Sequence, residues 1–175
     1  MILVIIYSLL YYRGLGLVSV GSLLIASVIS LLSFALLGKW IGFTLTLAGI
    51  AGAIVSIGIT ADSFIVYFER IRDEVRDGKS LRSAVESGWK RARHTIIVAD
   101  FVSIIAAVLL YFFAVGGVRG FAFTLGLTTF VDLLVVFTFT KPFVTLISRL
   151  DFYSAGGPLS GLSPKSLGLV EKVEA

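Results

Sequence analysis

The sequence has no cysteine, a single histidine, only three prolines and few charges, with Asp, Glu, Lys and Arg together making 15% of its 175 residues. Without cysteine there is no disulfide, no thiol catalysis and no thiolate metal site, and His94 alone cannot build a His-rich metal centre. No metal is expected. So little charge, set against 57% hydrophobic residues and a mean hydropathy of +1.00, excludes an ordinary water-facing surface. The bilayer is the solvent such a chain needs, and the fold class expected is an all-α membrane protein, a multi-pass helical bundle.

The net charge of +4 does not point to nucleic acid, because eight of the fifteen Lys and Arg lie between Arg70 and Arg93, between two apolar runs. A basic cluster there reads as a cytoplasmic loop. Met1 is followed directly by apolar residues, with no basic lead and no small-residue cleavage site before Tyr11, so a secretory signal is not expected. Residues 1 to 12 are too short to cross a core about 30 Å thick and are read as the back half of a helix whose beginning is missing.

Five apolar runs stand out, at 1 to 12, 15 to 37, 43 to 68, 95 to 115 and 121 to 148, the last four long enough to span. Short turns are expected at Arg13-Gly14, Gly38-Lys39-Trp40 and Gly116 to Gly120. The chain divides into a transmembrane domain, 1 to 148, and a disordered cytoplasmic tail, 149 to 175, marked by Gly156-Gly157-Pro158 and Ser163-Pro164. Within the connector 69 to 93, the pairs Glu69/Arg72, Arg70/Glu74 and Asp73/Arg76 carry the third helix on into water until Asp77-Gly78 stops it. After a cap at Ser80, the apolar face Leu81, Ala84, Val85, Trp89 and Ala92 is expected to lie along the membrane surface.

Asp62, Asp100 and Asp132 are the residues that need a reason to exist, since a carboxylate in hydrocarbon costs a few kcal/mol or more and by default marks a functional site. Asp62 lies seven residues before Glu69 and Asp100 seven after Arg93, so both sit about 10 Å below the cytoplasmic boundary. Asp132, nine residues before Lys141, comes at similar depth, and all three are expected to share one layer. Burial and neighbouring carboxylates disfavour the charged form, which suits a proton relay. Thr60, Ser63, Ser103 and Thr128 are hydroxyls placed to support it, and Arg91 is a basic position just outside. Ala48, Gly52, Ser56 and Thr60, beside Gly49 and Gly58, form a small-residue stripe for close helix packing.

Gly49-Ile50-Ala51-Gly52, Asp62 through Glu74, Gly78 through Val85, Gly88, Arg91, Thr95-Ile96, Asp100 and Gly117 through Gly126 together resemble the SecD family of bacterial protein export, over roughly residues 1 to 148. The resemblance implies half of a resistance-nodulation-division type transmembrane domain in the cytoplasmic membrane, pairing with SecF and working beside the SecYEG channel and a YidC-type insertase. It implies preprotein substrates, met through a large extracytoplasmic domain, and the proton as coupling ion, with sodium not excluded and no other cofactor. Asp62 matches the family's essential intramembrane Asp, Asp100 its fifth-helix acid and Arg91 a basic position before that helix. Where the family often has Asp-Ala-Asn, this chain has Asp62-Ser63-Phe64 and Asp100-Phe101-Val102, so amide partners are lost and Asp132 is a candidate to compensate. Competing readings are a lipid or drug exporter of the same transporter class, an inert assembly scaffold, and an intramembrane aspartyl protease, whose Tyr-Asp and Gly-x-Gly-Asp signatures are absent.

Overall fold

In the computed structural model, the described residues are 14 to 148 together with Ile6, Ser8, Leu10 and Tyr12. The first apolar run falls largely outside them, and the proposed tail, 149 to 175, falls outside them altogether. Four long helices follow one another: α1 (Gly14–Ile41), α2 (Leu47–Arg76), α3 (Leu81–Phe113) and α4 (Gly117–Val135). The last runs through a π-helical turn, Val136–Thr140, into α5 (Lys141–Ile147). Among the described residues, four spans, Gly16–Ile41, Leu47–Arg76, Leu81–Phe113 and Gly117–Ile147, are long and apolar enough to cross a membrane. α2, α3 and α4 pack on one another in a triangle, and α1 leans mainly on α4.

The helix ends follow local chemistry. Thr46 caps α2 by accepting from Gly49 N at 3.1 Å. α2 then runs beyond its apolar part to Arg76, where Gly78 takes a φ of +86° and Ser80 caps α3. The turn expected at Gly38-Lys39-Trp40 comes later: α1 continues to Ile41, and the chain reverses at Gly42, whose φ is +65°. Nothing in Gly38-Lys39-Trp40 forbids a helix, whereas a left-handed backbone favours glycine. The π turn lies just ahead of Pro142, whose ring would clash with the carbonyl four residues back in a regular helix. Widening the turn relieves that clash, and the Lys141 N–H bonds back to Val136 O.

One expectation is corrected. Residues 81 to 93 do not form a separate helix along a membrane surface; they are the first turns of the 33-residue α3. No Gly or Pro interrupts Trp89 to Ile96, so the helix has no reason to stop. Its apolar face is covered by α2 instead: Ala84, Val85, Trp89 and Ala92 share a buried cluster with Phe64, Tyr67, Phe68 and Ile71. Gly88 lets the helices meet, since a Cβ there would stand 3.0 Å from Ile71 N. Trp89 bridges Tyr67 and Phe137 edge-on, with ring centroids 5.3 and 5.0 Å away.

Candidate functional site: a buried carboxylate pair and an outward acid

α2 and α4 approach closely because α2 presents small residues to α4. A Cβ on Gly52 would stand 2.4 Å from Thr124 Oγ1 and 2.5 Å from Phe121 O, and the Thr124 hydroxyl donates to Gly49 O at 2.8 Å. The same stripe continues to Ser56 and Thr60. At that level Asp132 comes across from α4, accepting on Oδ2 from Ser56 Oγ at 2.9 Å and from the Thr60 hydroxyl in a shorter contact.

Thr60 has two acceptors and one hydrogen, because its Oγ1 also lies 3.0 Å from Ser56 O on its own helix. With Asp132 ionised, the Thr60 hydrogen belongs to the carboxylate. With Asp132 protonated, the acid can donate to Thr60, whose hydrogen then turns to the Ser56 carbonyl. The Thr60 hydroxyl thus has a partner in both protonation states without a helix moving. Asp100, 2% exposed on α3, lies within electrostatic range of Asp132.

Asp62 is elsewhere. It is exposed, on a face of α2 that also carries Ala51, Val55 and Gly58, all exposed. A Cβ on Gly58 would meet nothing within 4 Å. The three acids therefore do not share one cluster in this chain: Asp100 and Asp132 are buried inside it, while Asp62 points out. Helix geometry explains it. Asp62 follows Thr60 by two positions, about 200° round a helix of 3.6 residues per turn, so a stripe that turns Thr60 inward turns Asp62 outward.

The other predicted supports are placed as follows. Ser63 is buried and donates to Ile59 O at 3.3 Å. Ser103 donates to Ala99 O at 3.0 Å, and Thr128 to Thr124 O at 2.7 Å, so these hydroxyls serve their own helices rather than a carboxylate. Ser56, read from the sequence as packing, is an Asp132 donor. Arg91 stands at the end of the bundle, 3.0 Å from Glu74 Oε1.

Glu74 was missed as a structural centre. It is only 1% exposed, ion-paired to Lys79 across the turn and to Arg91 of α3, and it is not paired with Arg70, which reaches Asp73 at 3.7 Å instead. The Lys79 hydrogen bond and the nearby Arg91 charge hold the Glu74 carboxyl below the usual range, against the opposing effect of burial. The mix of acid and base after an apolar run was the available signal, but Arg91 is too far along the chain for helical spacing to suggest it. A second ion pair, Lys141 to Glu86 at 3.2 Å, ties α5 to the same end of α3.

An MMPL family model matches residues 1 to 156. The chain is 58% identical over 166 residues to the protein translocase subunit SecD of Streptomyces coelicolor, covering 95% of this chain and 29% of that protein. It is 56% identical over 149 residues to SecD of Mycobacterium tuberculosis, covering 85% and 26%. In fold it superimposes on the SecDF crystal structure from Thermus thermophilus with a TM-score of 0.77 at 30% identity, over 89% of this chain and 23% of that one. The chain thus spans less than a third of the length of these curated relatives. On these matches and its bundle of apolar helices, the chain belongs to the MMPL family, in a branch similar to SecD.

Proposed function

We propose that this chain is the membrane portion of a SecD-type protein translocase subunit of the bacterial cytoplasmic membrane, and that protonation of Asp62 couples the proton-motive force to preprotein translocation. One observation carries the reading: a lone carboxylate stands on an exposed, otherwise apolar helix face. On insertion scales a charge at the centre of a spanning helix costs about 2.5 to 3.5 kcal/mol. A second half-bundle of the SecF type covers this face in the assembled protein, with Gly58 allowing close approach. Asp62 then stands at a seam between two bodies that can move, whereas Asp132 and Asp100 lie inside one body.

Taking up a proton removes the desolvation cost of Asp62 and favours tighter closure of the seam; releasing it to the cytoplasm reverses the change. A membrane potential of 100 mV supplies about 2.3 kcal/mol per charge moved, enough to bias two packings that differ in proton affinity. The connector at 77 to 80 and its basic neighbours face the cytoplasm by their charge. The SecYEG channel and a YidC-type insertase are the proposed neighbours, and the subunit acts as a transport accessory rather than an enzyme.

The test is proton-driven preprotein export by the full-length protein that carries these helices, with SecF and SecYEG present. Asp62→Asn abolishes the proton-stimulated part of export under this reading, leaving the basal part. Unchanged stimulation overturns it and favours an assembly scaffold. Capture of SecF and SecYEG on purification separates it from a lipid or drug exporter of the same transporter class.

A further inference from the structure

A cavity of about 230 Å³ lies between α1, α2 and α4, separate from the outward face that bears Asp62. Its walls are mostly apolar, with Leu31 and Phe34 from α1 and Ala53 and Ile57 from α2; Ser27 and Ser30 add hydroxyls on the α1 side, and Thr60, Thr128 and Asp132 form its polar end. Asp132 is 7% exposed, yet its two donors both address Oδ2. Among the described residues, Oδ1 receives no hydrogen bond and no Lys or Arg lines the cavity.

We propose that this cavity binds a hydrophobic amine, its alkyl or aryl body between α1 and α2 and its ammonium on Asp132 Oδ1. The size fits, since a dry apolar cavity of about 150 Å³ accepts benzene. The Ser56 and Thr60 hydrogens are directed at Oδ2, and Thr128 donates to Thr124 O. An ammonium supplies both the missing donor and the missing charge, in a charge-assisted bond of the stronger kind. This site does not depend on proton coupling by Asp62.

The test is photolabelling of the full chain in zwitterionic nanodiscs with an octyl-length diazirine amine, mapped by mass spectrometry, alongside an alcohol-headed probe of the same length. Expected are labels on Leu31, Phe34 or Ile57, displaced by n-octylamine well before 1-octanol. Asp132→Asn lowers amine labelling roughly tenfold, the loss of one charge-assisted bond, and keeps alcohol labelling. Asp132→Glu keeps the amine, and Ala53→Phe loses both probes by filling the cavity. Equal displacement by amine and alcohol, amine labelling indifferent to Asp132→Asn, loss of amine with Asp132→Glu, or labels spread over the lipid-facing helix surfaces would each overturn the assignment.

Discussion

Thr60 and Asp132, 72 residues apart in sequence, are joined by a hydrogen bond across the α2–α4 contact, both side chains buried. Thr60→Val keeps the shape and removes the donor, leaving Ser56 as the remaining partner. Interhelical hydrogen bonds of this kind contribute about 0.6 to 2 kcal/mol in membranes. The expected outcome is a loss of that order in unfolding free energy, measured by denaturant titration in mixed micelles, with Thr60→Ser restoring it. If valine is neutral, the contact adds nothing to helix pairing.

Gly52 and Gly58 lie on one helix but predict opposite results. Alanine at position 52 places a Cβ against Thr124 and the Phe121 carbonyl, a backbone atom that cannot swing away. Overpacking of this type costs about 1 to 3 kcal/mol. Alanine at position 58 meets open space and leaves the stability of the isolated chain unchanged. If the proposed pairing with a SecF-type half-bundle holds, Gly58→Ala weakens it, which co-purification with SecF measures. Equal effects of the two substitutions on the isolated chain would contradict the helix orientation described above.

The Glu74 clasp has a pH signature. Its carboxyl is held below the ordinary value of about 4.3 by Lys79 and Arg91, so the folded state favours the ionised form. The stabilisation is complete above the unfolded value and disappears as pH falls through the lower folded value. Hydrogen-exchange protection at residues 74 to 91, taken relative to the intrinsic exchange rate at each pH, is therefore expected to stay flat from neutral pH down to about 5 and to fall on further acidification. Glu74→Gln opens this end at neutral pH and abolishes the acid step. A transition centred near neutrality would contradict the clasp.

The coupling ion gives a further expectation. Export driven by a proton gradient falls with Asp62→Asn, and a sodium gradient imposed at constant pH gives no stimulation in the wild type. Sodium-dependent stimulation would transfer the same seam to a different ion.

An expected depth for each acid follows from the sequence, because depth needs only the rise per residue and the ends marked by Glu69, Arg93 and Lys141. Which way each acid faces needs its neighbours. The stripe Ala48, Gly52, Ser56 and Thr60 was legible, and its inward direction would have turned Asp62 outward by the same periodicity. That step required knowing that α4 and not another helix takes the stripe. The Asp77-Gly78 stop and the Ser80 cap were legible because they are local. The union of the connector with α3 was not, since charged residues such as Arg91 and Arg93 are equally at home on a surface helix or on the extension of a spanning one.

The central claim is tested most directly by infrared difference spectroscopy of the full-length protein with SecF, reconstituted in liposomes and stepped in pH. The account predicts a carboxylic acid C=O band that disappears on deprotonation and is missing from the Asp62→Asn protein. A difference spectrum that keeps this band in Asp62→Asn, or that shows no carboxyl change in the wild type during turnover, would contradict it.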